Sequence, residues 1–416
     1  MSQRKVDPSA QKVPIRHVNV KNFLSLQDVE VSLGKLNVLV GPNGGGKSNF
    51  LSVFRFLGEV ARTDLAPALS RLFGGYDRVF CRAESAQVRL GVHISIKGEI
   101  SEYSSPTALD EYSLRFRPAK LLNGQIGVRR DEVLLLKRSA GRGRRITLGG
   151  SKYEYETISP TRKGGASGQG ATGEIGSDAS ALSVLRRIGA RSDTEQVSQL
   201  AEVFEDLRLF DPNVDAARRP ASVSDGIHLN PSASNLAAVL ANLRDEQPDI
   251  LTAIQDDIRY VLPGFERFEF ARLGADADIV QIGIRERGLR DVTPIRFASY
   301  GTVRSISLFT MLRDPNPPRL TCLEEVDHGL HPHALDVLVE RLREASERSQ
   351  IIVATHSPAL VNRIAAEELV VFEKNLDSGV TEVPKLDPKT IKKMEEESDL
   401  RIGELWYSGL LGGAPR

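Results

Sequence analysis

The chain has 416 residues, a length that predicts one large domain or two domains. Its 55 basic and 55 acidic side chains give a formal net charge of zero, which argues against attraction of the whole protein to nucleic acid or anionic membranes. The composition, 40% hydrophobic and 26% charged, is that of a folded globular protein, and the two cysteines exclude both a disulfide framework and a four-cysteine zinc site.

Membrane and export signals are missing from the sequence. No segment approaches the ~18 consecutive apolar residues of a membrane-spanning helix. Residues 1–14 are polar and lack the apolar stretch of a secretory signal. We therefore expect a cytoplasmic protein with no membrane partner, beginning with a flexible tail over residues 1–14.

Two kinds of apolar pattern predict strands in the N-terminal part of the chain. Residues 36–40 (LNVLV) are nearly all apolar, which is typical of a buried central strand. Residues 28–33 and 88–96 alternate between polar and apolar, and residues 112–116 repeat that pattern, as half-buried strands do. Residues 133–136 add another short apolar run. These segments predict an antiparallel sheet beside a central one.

The middle of the chain separates two halves of one fold. Residues 161–180 contain six glycines and three serines, a composition that predicts a flexible loop. Over residues 181–264 apolar residues recur at intervals of three and four, which predicts helices. We interpret this segment as a helical insertion between residues 15–160 and residues 265–416.

The C-terminal half returns to buried strands. Residues 320–323, 351–355 and 369–372 are strongly apolar, and an amphipathic helix is predicted between the first two. Strands that alternate with a helix at this spacing predict a parallel α/β sheet.

A glycine-rich loop follows the first buried strand. Residues 41–48 (GPNGGGKS) fit G-x-x-x-x-G-K-[ST] without a mismatch, and a helix with an apolar face follows. Backbone N–H groups of such a loop turn toward an anion, and the helix N-terminus adds a favourable partial charge. We expect Lys47 to reach the β- and γ-phosphates and Ser48 to bind Mg²⁺; the alternative is a chance glycine-rich turn. The predicted nucleotide-binding residues of the loop are Gly41, Pro42, Asn43, Gly44, Gly45, Gly46, Lys47, Ser48 and Asn49.

Two glutamates and a histidine lie at the ends of two later strands. Mg²⁺ takes oxygen ligands, and hydrolysis needs a base that orients or deprotonates water. Successive side chains at a strand end point in different directions, so one of Glu324 and Glu325 can serve the metal and the other the water. His356 is either a hydrogen-bonded strand end or a contact for the γ-phosphate or the attacking water.

As a set, these segments resemble the ATPase head of ABC-type proteins, in the RecF- and SMC-like branch of stand-alone prokaryotic ATPases of AAA type. Besides the P-loop, the likeness rests on residues 18–25 (VNVKNFLS), 299–302 (SYGT), 325–332 (EVDHGLHP) and 403–413 (GELWYSGLLGG). It covers residues 15–160 and 265–416. Val326 stands where proline is usual in this family, and Tyr300 where a small or acidic residue is usual.

The resemblance implies an α/β P-loop NTPase with a mixed parallel central sheet, an antiparallel β subdomain and a helical insertion. Glu324 would then be the metal-binding carboxylate, Glu325 the catalytic base and His356 the switch histidine. Ser299 and Gly301 correspond to the signature motif, which in such heads completes the ATP site of the opposite subunit. ATP, Mg²⁺ and a homodimer built around shared ATP are therefore implied.

A glutamine-loop residue cannot be assigned from the sequence. Asp131 and Glu132 precede the apolar run at residues 133–136 and lie in the expected region. A solvated turn is the interpretation that we favour for them.

A histidine cluster suggests a metal site as an alternative. His328, His331 and His333 form the pattern H-x-x-H-x-H, which is compatible with zinc. They fall within the segment that resembles the D-loop, where a histidine is expected at His331. We therefore favour the D-loop interpretation.

A basic cluster leaves contact with DNA open. Its members are Arg138, Arg142, Arg144 and Arg145. Arginines of this kind contact nucleic-acid phosphates, and a solvated basic loop is the alternative, because no aromatic residues alternate with them for base stacking.

Three functions follow as hypotheses. The leading one is an ATP-binding, ATP-hydrolysing protein that acts as an ATP-dependent dimerising switch in DNA repair or a phage-defence-like process. The second is a weakly hydrolysing ATP sensor that regulates a separate effector such as a nuclease, since we expect no room for a nuclease domain after the last core strand. The third, a transporter energy subunit, is disfavoured by the degenerate signature and the long insertion.

Overall fold

The computed structural model describes residues 12–83, 91–120, 126–137, 143–149, 152–158, 172–174, 176, 179–184, 195–274 and 278–413. Most of the predicted tail at 1–14 and of the predicted loop at 161–180 lies outside these residues, as do Arg138 and Arg142. Within the loop, residues 172–174 form a strand. Among the described residues, no helix has both the length and the apolar character needed to cross a membrane.

The described residues form both β-strands and α-helices. The strands are β1 (His17–Phe23), β2 (Leu26–Ser32), β3 (Leu36–Val40), β4 (Val92–Gly98), β5 (Asp110–Lys120), β6 (Ile126–Lys137), β7 (Gly143–Gly149), β8 (Lys152–Ile158), β9 (Thr172–Glu174), β10 (Arg208–Phe210), β11 (Ala221–Ser222), β12 (Phe265–Leu273), β13 (Ile279–Glu286), β14 (Thr293–Pro294), β15 (Leu320–Glu324), β16 (Gln350–Thr355), β17 (Leu369–Val371), β18 (Glu373–Lys374) and β19 (Thr381–Glu382). The helices are α1 (Lys47–Arg62), α2 (Leu65–Phe73), α3 (Ala181–Val184), α4 (Glu195–Glu205), α5 (Val214–Ala217), α6 (Leu236–Glu246), α7 (Pro248–Val261), α8 (Tyr300–Leu312), α9 (Ala334–Ser346), α10 (Pro358–Val361), α11 (Pro388–Ser398) and α12 (Ile402–Tyr407).

A five-stranded sheet in the order β10-β15-β16-β3-β17 forms the centre of the molecule. The predicted α/β fold is confirmed, and the sheet that we expected to be mixed is parallel at every described pairing. Every residue of β3 and β16 is buried, because helices cover both faces of a parallel sheet. The strand register pairs Glu324 with Ala354 and Thr355 with Val40, so β15, β16 and β3 end at the same edge.

The predicted antiparallel sheet is also confirmed, with eight strands in the order β2-β1-β4-β5-β6-β7-β8-β9. Its inward residues alternate along the strands, as Val92, Ile94 and Ile96 do on β4, and they share one core with α1. Phe50 and Phe54 of α1 are fully buried in that core. Burial of such a side chain stabilises the fold by about 1.5–3 kcal/mol, so this packing fixes α1 between the two sheets.

Two details of the antiparallel sheet differ from expectation. Glu132 lies on β6 and is fully buried, where it accepts hydrogen bonds from the Tyr112 hydroxyl (2.6 Å), the Ser180 hydroxyl (2.7 Å) and the Ala181 N–H (2.6 Å). The prediction of a solvated turn there was wrong, because three donors replace the water that a buried carboxylate loses. Arg144 and Arg145 lie on β7 rather than in a loop.

The segment predicted as helical contains α3 to α7 but also supplies strands to two sheets. Its β10 pairs with β15 and forms an edge of the central sheet. Its β11 pairs with β13 in a smaller sheet, against which α6 packs. Strands β10 and β11 have three and two residues, which is too few to produce a recognisable alternation of polar and apolar residues in the sequence.

Candidate nucleotide site

The glycine-rich loop joins the end of β3 to the start of α1, as the sequence predicts. Gly46, which precedes α1, has a φ of +106°, a region that L side chains rarely adopt. A Cβ at this position would lie 2.1 Å from the Thr381 hydroxyl oxygen. Glycine is therefore required here both by the backbone conformation and by the close approach of β19.

Lys47 folds back over the loop that precedes it. Its Nζ donates to the carbonyl oxygens of Gly41 at 2.7 Å and Pro42 at 3.0 Å. Burial lowers the pKa of Lys47, and the carboxylates of Glu325 and Glu324 oppose that shift. The ammonium group thus lies at the loop carbonyls, in the field of both carboxylates.

Ser48 and Glu324 meet at the shared edge of the central sheet. The Ser48 hydroxyl donates to Glu324 Oε2 at 2.8 Å. Both groups offer oxygen, the ligand type that Mg²⁺ prefers, and Mg²⁺ completes its six positions with water and substrate phosphates rather than with a protein cage. The residues present therefore fit Mg²⁺ bound together with a nucleotide.

Glu325 has an unusual backbone conformation for a residue with a side chain. Its φ is +49°, in the left-handed region, and its N–H donates to the Ala354 carbonyl at 2.8 Å. The Glu325 carboxylate lies near His356, whose Nδ1 is 4.0 Å from Glu325 Oε1. Both side chains are about half exposed, 55% for Glu325 and 45% for His356, so water reaches them.

These groups line one cavity of about 310 Å³. Its lining comes from the P-loop, from the end of β15 and from the end of β16. The lining residues are Asn43, Gly44, Gly45, Gly46, Lys47, Ser48, Asn49, Glu324, Glu325, Ala354, Thr355 and His356. Gly41 and Pro42 do not line this cavity, and their carbonyls accept hydrogen bonds from Lys47.

Ser299 and Gly301 do not line that cavity. Ser299 caps α8, its hydroxyl accepting from the Thr302 N–H at 3.1 Å. Both residues instead border a separate cavity of about 210 Å³ between α7, α8 and the 329–331 segment. Within one chain, therefore, the signature-like residues and the P-loop belong to different surfaces.

Gly301 is needed for a reason that the sequence does not suggest. A Cβ at Gly301 would lie 2.3 Å from the Gly329 carbonyl oxygen of the same chain. Glycine is thus required at position 301 because the backbone of Gly329 packs against it. This contact joins the N-terminus of α8 to the segment that resembles the D-loop.

The rings of His328 and His333 in the H-x-x-H-x-H pattern contact different tyrosines. The His333 ring stacks on Tyr260, with centroids 4.8 Å apart, whereas His328 meets the edge of Tyr300 at 5.6 Å. Across the described ranges, no group of three or more His, Cys, Asp or Glu residues could hold a metal ion. A zinc site therefore has no support in the described geometry.

Two sets of residues beside the site were missed by the sequence analysis. Ser25 accepts from Asn49 Nδ2 at 2.7 Å and shares a 2.7 Å hydrogen bond with Thr381, which places the β1–β2 turn and β19 against the P-loop. Arg304 of α8 is 3% exposed and donates to the Glu325 carbonyl at 2.8 Å. In the sequence, Arg304 stands out as the one charged residue within the largely apolar helix α8. No sequence pattern points to Thr381.

Two family models match the chain. Residues 155–362 match the family described as "AAA domain, putative AbiEii toxin, Type IV TA system". Residues 14–97, which include the P-loop, match the family described as "AAA ATPase domain". No curated protein matches the chain.

Three solved structures of SMC heads match this chain. The SMC head bound to the C-winged helix domain of ScpA has a TM-score of 0.53 and 15% identity, over 91% of this chain and 99% of that one. The SMC head domain of Thermotoga maritima scores 0.44 at 16% identity (90% and 99% covered). An SMC head with an extended coiled coil, bound to the C-terminal domain of ScpA and derived from Pyrococcus furiosus, scores 0.49 at 14% identity (93% and 100% covered). Only the first score supports a shared fold, and at this identity it supports the fold alone.

Proposed function

We propose that this chain, which belongs to the AAA-domain family matched over residues 155–362, works as an ATP-dependent switch. In this switch, two copies of the P-loop ATPase close around shared nucleotide. The observation that carries the proposal is the single cavity in which the P-loop, Glu324, Glu325 and His356 meet. These residues come from three distant segments, and a chance glycine-rich turn would not place a serine–carboxylate pair at the metal position.

Five side chains of the cavity have roles in this proposal. Lys47 and the loop N–H groups bind the β- and γ-phosphates of ATP. Ser48 and Glu324 would hold Mg²⁺, which would supply positive charge to the phosphates. Glu325 accepts a proton from the attacking water, and His356, 4.0 Å from it, orients that water and contacts the γ-phosphate.

The homodimer is the finer part of the proposal. Ser299 and Gly301 stand at the N-terminus of α8 but do not border their own P-loop cavity. A helix N-terminus that presents N–H groups and a hydroxyl suits an anion. We infer that this end of α8 contacts the γ-phosphate held by a second copy, so that each site is complete only in the dimer.

The biological setting is proposed from the family description alone. The matched family carries the description "AAA domain, putative AbiEii toxin, Type IV TA system", and these words favour a defence process over DNA repair. Within the proposal, DNA and a separate effector protein are the partners that the ATP-bound dimer would contact.

Phosphate release from ATP, measured with and without Mg²⁺, tests the enzymatic part. We expect turnover that needs Mg²⁺ and that is lost in Lys47→Ala. Absence of turnover in a wild-type protein that binds ATP tightly would contradict ATP hydrolysis and would favour the ATP sensor instead.

A further inference from the structure

Arg304 is a buried cation beside the proposed site with no role in the mechanism above. It is 3% exposed on α8, and no carboxylate forms an ion pair with it within the described part of the chain. Its Nε is buried without a hydrogen-bond partner among the described residues. A guanidinium stays charged in proteins, and burying it with an unpaired N–H is unfavourable, so its position calls for a functional reason.

The guanidinium is directed at the backbone of the two acidic residues. Its NH2 donates to the Glu325 carbonyl at 2.8 Å and, with a longer bond of 3.3 Å, to the Glu324 carbonyl. Its NH1 makes a long contact of 3.5 Å with the Pro212 carbonyl just after β10. One side chain of α8 therefore contacts the segments that follow two adjacent strands of the central sheet.

The contacted peptide is the one with the left-handed residue. Glu325 has a φ of +49°, and its N–H donates a hydrogen bond to the Ala354 carbonyl. The Glu325 carbonyl accepts two hydrogen bonds, one from Arg304 and one from the His328 N–H at 3.0 Å. A non-glycine residue keeps such a conformation only when its surroundings impose it, and such residues concentrate at functional sites. Arg304 supplies the one side-chain contact among these three.

We infer that Arg304 is a positioning residue that couples the N-terminus of α8 to the carboxylate of Glu325. Arg304 lies about one helical turn after Gly301, so a shift of this end of α8 reaches the Glu325 backbone through one side chain. The inference rests on the proposed function, because it assigns Glu325 to catalysis. It predicts that contact of α8 with a second copy changes the position of Glu325 in the same chain.

The test compares Arg304→Met and Arg304→Lys with a matched control, Arg319→Met. Arg319 also donates to two successive carbonyls, Ile100 at 2.9 Å and Glu99 at 3.0 Å, and it precedes β15. Hydrogen exchange over residues 324–331 reports on the Glu325 turn without requiring turnover, and steady-state kinetics report on catalysis.

Arg304→Met should speed exchange over residues 324–331 by ~10-fold, the effect of losing about one hydrogen bond. It should lower kcat for ATP by ~10²-fold with KM within ~2-fold, because a carboxylate displaced by about 1 Å has this cost. Arg304→Lys, whose ammonium reaches a single carbonyl, should give intermediate values, and it serves as the main variant if Arg304→Met does not fold. Arg319→Met should change neither quantity.

Unchanged exchange and kcat in Arg304→Met, or equal changes in Arg319→Met, would overturn the inference. If no form of the protein hydrolyses ATP but exchange changes as predicted, the proposed ATPase function fails, whereas the coupling of Arg304 to the Glu325 turn is supported.

Discussion

Ser48 Oγ lies 2.8 Å from Glu324 Oε2, although the two residues are 276 positions apart in the sequence. The parallel register of β3, β16 and β15 produces this proximity, because the carboxyl ends of the three strands meet at one edge. The pair offers two oxygen atoms of the type that Mg²⁺ binds, next to the loop that we propose for the phosphates.

Ser48→Ala and Glu324→Gln should each weaken ATP binding in Mg²⁺ by ~10-fold or more, since each removes one metal ligand. In EDTA the variants should bind ATP nearly as the wild type does. Titration calorimetry in both buffers measures the difference. Ser52→Ala is the matched control, because that hydroxyl on the same helix donates to the Ser48 carbonyl rather than to Glu324. Equal losses in Mg²⁺ and in EDTA would contradict the metal assignment.

Lys47→Ala should abolish measurable ATP binding, because it removes the cation that pairs with the β- and γ-phosphates in a partly buried site. Calorimetry with the variant measures this directly. Lys21→Ala, which breaks a surface ion pair with Asp28 on the antiparallel sheet, is the control and should bind ATP normally. Wild-type affinity in Lys47→Ala would remove the basis for the P-loop assignment.

Ser299→Arg should prevent ATP-dependent dimerisation while leaving ATP binding by the single chain nearly intact, because the bulky cation replaces the hydroxyl at the N-terminus of α8. Light scattering in the Glu325→Gln background with Mg·ATP is the measurement. Thr252→Arg, exposed on the neighbouring α7, is the control and should still dimerise. A Glu325→Gln protein that stays monomeric with ATP, or a double variant that dimerises equally well, would contradict the shared site.

Glu132 predicts a pH dependence of stability. Burial raises the pKa of Glu132, and hydrogen bonds from Tyr112, Ser180 and Ala181 oppose the shift, as does the charge of Arg130. A carboxyl group with a raised pKa binds its proton more tightly in the folded state. The stability that it contributes is present at low pH and is lost as the pH rises from about 4.5, its ordinary value, through the raised pKa.

As the pH rises from 4.5, the free energy of unfolding of the wild type should therefore fall relative to that of Glu132→Gln. Urea denaturation across this range measures it. Glu111→Gln on β5, where the carboxylate pairs with Lys97 and is one-third exposed, should show a smaller change. A difference that moves in favour of the wild type would mean that the three donors outweigh burial.

The sequence predicts best where one segment carries its own signal. The P-loop has a complete local pattern, and the largely apolar sequences of β3 and β16 reflect their burial on both faces. Strand order and the meeting of Ser48 with Glu324 follow once the sheet is recognised as parallel.

The sequence fails where a residue's role depends on distant neighbours. Glu132 reads as a solvated residue, and only the donors at Tyr112, Ser180 and Ala181 explain its burial. Arg304 and Thr381 likewise act through contacts with residues about 20 and more than 300 positions away. The requirement for Gly301 comes from Gly329, which no periodic pattern indicates.

The most direct test of the account is a single-turnover measurement of ATP hydrolysis by Glu325→Gln beside the wild type, with bound nucleotide measured in the same samples. The amide keeps the shape of the side chain but cannot accept a proton from water. We predict wild-type affinity for Mg·ATP and a rate lower by ~10²-fold or more. Hydrolysis at the wild-type rate would contradict the account, as would a Glu325→Gln protein that cannot bind Mg·ATP while Glu324→Gln hydrolyses normally.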